Sequence, residues 1–213
     1  MKSFVITILD NPRSVEYAQR CIDSGKKHGI HIEMFCATTP KDDIYRLCAE
    51  EGIDPKSFEG IYSRVDNVIS CFLSHYFLWK SCIDEDFMIF EHDAVITNSI
   101  PKVTHNGCIS FGKPSYGKFN IPPLLGVNEL SSKPYFPGAH AYQVSPRGAK
   151  VLVNNAPLFS KPTDVYLNKG TFTWLQEYYP WCAEVRDTFT TIQNTRGCQA
   201  KHNFGDSYEI IDA

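Results

Sequence analysis

The feature that most constrains this chain is the apolar run Phe87, Met88, Ile89 and Phe90, followed at once by Glu91, His92 and Asp93. An unbroken apolar run of strand length is the pattern of a strand covered on both faces, inside a parallel or mixed sheet of an α/β fold. Just upstream, Val68, Cys71, Phe72, Leu78, Trp79, Cys82 and Ile83 recur mostly at steps of three and four residues. That spacing predicts an amphipathic helix ending near Ile83, with Ser74 and His75 inside it. Asp84, Glu85 and Asp86 come next. Acids are disfavoured at the negative end of a helix, so these three read as solvated loop.

In open α/β sheets ligands bind outside the carboxyl ends of strands. Glu91 and Asp93 stand at such an end, two residues apart, where they can present hard oxygen ligands to a divalent cation that neutralises a diphosphate. The same acidic trio also serves as a plain turn, and E-x-D alone does not decide between the two. On the helix, His75 falls about 60° from Phe72 and about 40° from Trp79, at the edge of the apolar stripe. There it can be buried and still reach the strand ends. Ser74 falls about 140° from Trp79 and points elsewhere.

Around this centre, Phe4 to Leu9 reads as a first strand, Asp10 to Arg13 as a turn, about Ser14 to His28 as a helix and Ile30 to Ala37 as a second strand. No G-x-G-x-x-G follows the first strand, which argues against a nicotinamide or flavin dinucleotide fold. Lys41 to Glu51 looks like a short helix, and Gly52 to Asn67 is mixed, with turn signals at Asp54-Pro55 and Gly60. Between Pro101 and Pro134 glycines and prolines are dense, so short strands and loops are expected there. Tyr116, Phe119 and Tyr135 in that region either stack on a sugar or base or simply cover the core. Pro137-Gly138 turns the chain into a strand over Ala139 to Val144, and Ser145-Pro146 caps a helix from Arg147 to Asn155.

The 213 residues fit one domain. A net charge of −3 with no long run of like charge removes the electrostatic footprint of non-specific nucleic-acid binding. The eight cysteines include no C-x-x-C pair, which fits reduced core thiols better than a zinc site or a disulfide framework. The N-terminal apolar stretch is too short for a signal peptide or a membrane span, so a soluble, intracellular, cytoplasmic protein is expected.

The run C-x-L-S-H-x-x-x-W from Cys71 to Trp79, the apolar strand and then E-x-D-A resemble the signature of glycosyltransferase family 25, which includes lipopolysaccharide-type and collagen-type sugar transferases. Gly138 to Ala149, G-A-H-A-Y-Q-V-S-P-R-G-A, resembles that family's G-T-H-A-Y-x-I-S-x-x-G-A, and Pro162-Thr163-Asp164 its P-x-D. The opening I-T-I-L-D-N-P-R is similar to I-N-L-D-R-x-x-R, with Thr7 where Asn is usual and Arg13 as the cation of the turn.

The resemblance implies a GT-A-like fold, α/β with a mostly parallel central sheet flanked by helices. Residues 1–97 would form the donor and metal half of one domain and 98–213 the acceptor half. It implies a metal, Mn²⁺, held by Glu91 and Asp93, and a nucleotide-sugar donor, a UDP-sugar, contacted by Thr7, Arg13, Ser74, His75 and His140. Asp164 would be the general base for an inverting transfer, though an N-cap role suits it equally. His92 replaces the usual middle acid, which is expected to alter metal preference. Thr190 to Asn194 resembles a short closing strand and loop, before a polar tail from Arg196. A glycan acceptor is favoured over hydroxymethylated DNA, the substrate of a viral-type transferase with the same donor site. A non-catalytic nucleotide- or glycan-binding protein is the rival from another class.

Overall fold

The computed structural model describes residues 1–115, 117–136, 139–186, 189–192, 209–210 and 212–213. Tyr116, the Pro137-Gly138 turn, Gln193-Asn194 and the tail from Arg196 to Tyr208 lie outside the described residues. The chain opens with β1 (Lys2–Thr7), α1 (Pro12–Lys27) and β2 (Glu33–Cys36). The Asn11 side chain accepts from the amides of Arg13 and Ser14, and Pro12 occupies the first helical turn, so α1 starts where cap chemistry dictates. Next come α2 (Ile44–Glu50), a 3₁₀ turn at Pro55–Phe58, α3 (Val65–Ser81), β3 (Phe87–Glu91) and β4 (Ala94–Ile96). The second half holds β5 (Cys108–Ser110), β6 (Gly126–Glu129), β7 (Ala141–Val144), α4 (Pro146–Phe159), α5 (Thr163–Tyr166), β8 (Gln176–Tyr179), β9 (Ala183–Val185), β10 (Phe189–Thr190) and β11 (Glu209–Ile210).

Seven strands form one sheet in the order β2-β1-β3-β7-β5-β8-β6. Both β1 pairings and the β5–β8 pairing are parallel, whereas β7 runs against β3 and β5, and β6 runs against β8. Five of the seven strands therefore share one direction, the mostly parallel sheet expected from the sequence. β3 lies inside it, between β1 and β7, with Phe87 at 4% exposure and Met88, Ile89 and Phe90 at 0%. Phe87 and Ile89 pack with α3 and α4, while Met88 and Phe90 pack with Ala18 and Cys21 of α1. The two-residue period of a strand thus aims Glu91 at α3.

Two local readings of the sequence are corrected. Helix α3 ends at Ser81, not Ile83: Ile83 is 70% exposed and contributes no burial to extend it, and the Cys82 amide closes back on the Trp79 carbonyl. The acids after it are not all solvated loop. Asp86 Oδ2 accepts from Gln143 Nε2 at 2.6 Å and bonds His105 Nε2 at 3.2 Å, because β7 runs alongside and brings Gln143 within reach.

The S-P-R-G-A segment has a packing reason. Ser145 caps α4 by accepting from the Gly148 amide, and its own amide donates to the Gly107 carbonyl at 2.8 Å. A Cβ at Gly148 would strike that carbonyl, so the first turn of α4 can cross the approach to β5 only with glycine there.

Candidate functional site

Beyond the carboxyl end of β3 lies a cavity of about 220 Å³. α3 contributes Cys71, Ser74 and His75 to its wall, the end of β3 and the turn after it contribute Glu91, His92 and Asp93, and α5 contributes Asp164. Thr190, Thr191 and Ile192 close one side, held to the start of α3 by a bond from Asn67 Nδ2 to the Thr191 carbonyl. Five of the eight site residues singled out from sequence, Ser74, His75, Glu91, Asp93 and Asp164, are therefore brought together.

The other three are placed behind the wall. Thr7 has the parity of Val5 and faces α1, leaving Ile6 and Ile8 at the cavity; its hydroxyl donates to the Val5 carbonyl. Arg13, in the first turn of α1, lies over the Phe189 ring at 4.9 Å, and Phe189 is what reaches the cavity. His140 is 1% exposed and its ring fills the space beside Gly112, while its carbonyl accepts from the Glu91 amide at 3.1 Å. It steadies Glu91 through the backbone.

His75 is fully buried and bonded at both nitrogens. Its Nδ1 is 2.8 Å from the Tyr142 hydroxyl, and its Nε2 is 3.3 Å from Glu91 Oε1. Trp79 Nε1 donates to the same hydroxyl at 2.8 Å. Since that oxygen receives the indole proton, its own proton is best given to Nδ1, which leaves Nε2–H to donate to Glu91. Desolvation pulls the His75 pKa down to about 3, outweighing the opposing field of Asp164, so the ring is neutral at ordinary pH. Trp79, Tyr142, His75 and Glu91 form one line of hydrogen bonds that fixes the carboxylate. Ser74 points elsewhere on α3, as its helical angle predicts, accepting from the Thr38 amide at 2.9 Å.

His92 turns toward α1. Its Nδ1 is 3.1 Å from Ser14 Oγ, which itself accepts from the Ile8 amide, and its ring stacks on Phe189 at 5.3 Å. Desolvation lowers its pKa to about 4. Asp164 Oδ2 accepts from the Tyr62 hydroxyl at 2.8 Å and Oδ1 from the Val165 amide at 2.9 Å. Burial and then Asp164 push the Tyr62 pKa far up, so this phenol remains a donor to the carboxylate.

Sequence reasoning missed Tyr62, Cys71 and Tyr142. Tyr142 lies in the H-A-Y segment, two residues from His140, and the need of a buried His for a partner was the available signal. Cys71 stands four residues before His75, one helical turn away, but it also falls on the apolar stripe, which hides it. No sequence signal marks Tyr62, whose partner is a hundred residues distant.

Two donor sets bear on a metal. Cys71, His75 and Glu91 have ligand atoms within 4.8 Å of one another. In that set the His75 proton is already given to Glu91, and burial, with Glu91 and Asp164 nearby, holds the Cys71 thiol protonated. Glu91 and Asp93 offer carboxylate oxygens at the mouth of the strand, which suits a hard cation such as Mn²⁺ or Mg²⁺. The carboxylate pair therefore fits the expected group.

A family model described as glycosyltransferase family 25, LPS biosynthesis protein, matches residues 1–110 of the 213. The match spans α3 and the E-x-D segment. A search of curated proteins gives no match. Among solved structures the chain is similar to the inositol-1-phosphate CTP transferase from T. maritima, with 8% identity, a TM-score of 0.45, and 87% of this chain and 89% of that one covered. It is also similar to the CTP:phosphocholine cytidylyltransferase LicC from Streptococcus pneumoniae, with 11% identity, a TM-score of 0.37, and 85% and 91% covered. At that level of superposition neither bears on substrate. No helix among the described residues is long and apolar enough to cross a membrane.

Proposed function

The chain belongs to glycosyltransferase family 25, and from that premise we propose an inverting, Mn²⁺-assisted transfer of a sugar from a UDP-sugar to a hydroxyl of a glycan acceptor. The observation that carries the reading is the convergence of Glu91 and Asp93, from the end of β3, with Asp164, from α5, on one cavity at the carboxyl end of β3. Glu91 and Asp93 would hold the metal, which supplies charge neutralisation to the departing diphosphate.

The chain's own groups do the rest. Asp164 takes the proton of the acceptor hydroxyl as its oxygen bonds to the anomeric carbon, and the bond from that carbon to the diphosphate breaks, its electron pair leaving with UDP. Tyr62 orients the Asp164 carboxylate, and the line from Trp79 through Tyr142 and His75 orients Glu91. At about 220 Å³ the cavity is smaller than the roughly 300–1,000 Å³ usual for a small-molecule site. Part of a nucleotide sugar therefore extends past its mouth, toward the acceptor.

Hydrolysis of UDP-glucose and UDP-galactose in Mn²⁺ and in EDTA tests this reading, followed by an acceptor screen over oligosaccharides, protein hydroxylysine and hydroxymethylated DNA. Metal-dependent release of UDP, raised by one acceptor class, is expected. No turnover with any of these, in a protein that still binds UDP, would make it a nucleotide-binding protein instead.

A further inference from the structure

A second concavity, of about 1,000 Å³, is walled by Gly117 to Asn120, by Leu130 to Tyr135 and by Lys169. Among the described residues that line it, three are lysines, Lys118, Lys133 and Lys169, and none is an acid, in a chain whose net charge is −3. Lys133 is only 9% exposed; its ammonium lies 5.8 Å over the Tyr135 ring, and a Cβ placed at Gly117 would come within 3.3 Å of it. Burial draws the Lys133 pKa below the usual lysine range. The Lys169 ammonium is 3.3 Å from Glu129 Oε2, a surface pair that solvent screens. Phe119 and Tyr135 supply aromatic faces.

The cleft is built, not incidental. Glu177 is 1% exposed, and its Oε1 accepts from the Ser131 amide at 2.6 Å, the Ser132 amide at 2.7 Å and the Ser131 hydroxyl at 3.0 Å. A buried carboxylate spent on two loop amides fixes the wall that carries Lys133. The opposite wall is fixed by the backbone: the Lys169 amide donates to the Pro134 carbonyl at 2.7 Å, and the Phe136 amide to the Leu167 carbonyl at 2.9 Å.

The cleft and the donor cavity are close along the chain. Ser115 lines the cavity, and Gly117, two residues on, lines the cleft; Asp164 lines the cavity, and Lys169, five residues on, lines the cleft. The chain thus brings the cleft within two residues of Ser115 and five of Asp164, where an acceptor hydroxyl has to be.

We infer that this cleft is the acceptor subsite and that it selects an anionic saccharide, one carrying a phosphate or carboxylate group that the three lysines neutralise while Phe119 and Tyr135 pack on sugar rings. The inference rests on the glycosyltransferase reading and names the substrate class of that site. A duplex track would need a basic stripe along the surface, and these lysines line a concavity instead.

The test is calorimetric titration of the full chain with trehalose 6-phosphate, with trehalose, with a 12-nucleotide single-stranded DNA and, separately, with Mn²⁺ and UDP. Trehalose 6-phosphate is expected to bind at least tenfold tighter than trehalose. Lys118→Gln with Lys169→Gln should weaken it at least fivefold, and adding Lys133→Gln should remove it. The double variant leaves the buried Lys133 in place and changes only the exposed Lys118 and the partly exposed Lys169, so it remains informative if the triple variant fails to fold. Equal binding of trehalose and its phosphate, or phosphate binding undiminished in the double variant, overturns the inference. DNA binding tighter than trehalose 6-phosphate and lost with the same lysines would also overturn it, assigning the cleft to nucleic acid. The UDP titration separates the two readings: if UDP binds and the sugar phosphate does not, only the cleft assignment falls.

Discussion

The cavity and the cleft are neighbours along the chain and are built by different means. Glu91 ends a strand buried on both faces, and His75 is held in mid-helix with both nitrogens bonded. The cleft is made of loops, fastened by Glu177 and by backbone pairs between 134–136 and 167–169. Bond-making geometry tolerates little displacement, so it is carried on regular elements, whereas recognition of an acceptor can be placed on loops that rest on the same scaffold. On this account changes in the cavity alter turnover, and changes in the cleft alter only which acceptor is used.

The largest effect is expected for Asp93→Asn. Removing one of two carboxylates from the proposed metal site should cost about 10³-fold or more in Mn²⁺-dependent transfer, with little change in melting temperature. Full activity in this variant would mean that the acidic trio is a turn. Asp164→Asn should follow, lowering kcat by about 10²- to 10⁴-fold while the Kd for UDP stays within about twofold. An equal loss of UDP affinity would move Asp164 to the donor side of the comparison.

Tyr142→Phe probes the hydrogen-bond line with little change of volume. It leaves the Trp79 indole and His75 Nδ1 without their partner, so a loss of about 1–3 kcal/mol in stability is expected, together with a several-fold loss of turnover as Glu91 becomes less firmly held. If stability falls and kinetics do not, the line is only core structure. His75→Ala is the harsher form of this test and should lower both, because the ring is fully buried.

The smallest effect is on pH dependence. The folded pKa of His75, about 3, lies below its ordinary value of 6.5. The unfolded chain therefore takes up a proton first as pH falls, and the neutral ring's contribution, complete above pH 6.5, is lost progressively down to about pH 3. Between pH 7 and pH 5 this group alone should cost about 2 kcal/mol in metal-free protein. Thermal melts in EDTA measure it, and His75→Gln should remove about half of the fall over that range, the rest belonging to His92, whose pKa burial also lowers, to about 4.

The same contrast explains what was legible in the sequence. Phe87 to Phe90 and the α3 stripe announced a doubly buried strand and its covering helix, because burial imposes a period on sequence. Cap chemistry at Ser145 likewise placed the start of α4, and the turn signal from Asp10 to Arg13 placed that of α1 within about two residues. Thr7 was misplaced relative to the cavity because one residue of strand phase decides which face it takes. Tyr62 and the Glu177 anchor of the cleft were invisible, since long-range pairing of a loop residue leaves no period behind.

Calorimetric titration of UDP into the protein, with Mn²⁺ and with EDTA, in the wild type and in Glu91→Gln, tests the central claim most directly. The account predicts UDP binding that depends on Mn²⁺, is at least tenfold weaker in EDTA and is weakened to a similar degree in Glu91→Gln. UDP binding of equal strength under all these conditions would contradict it, because the carboxylates at the end of β3 would then have no part in holding the donor.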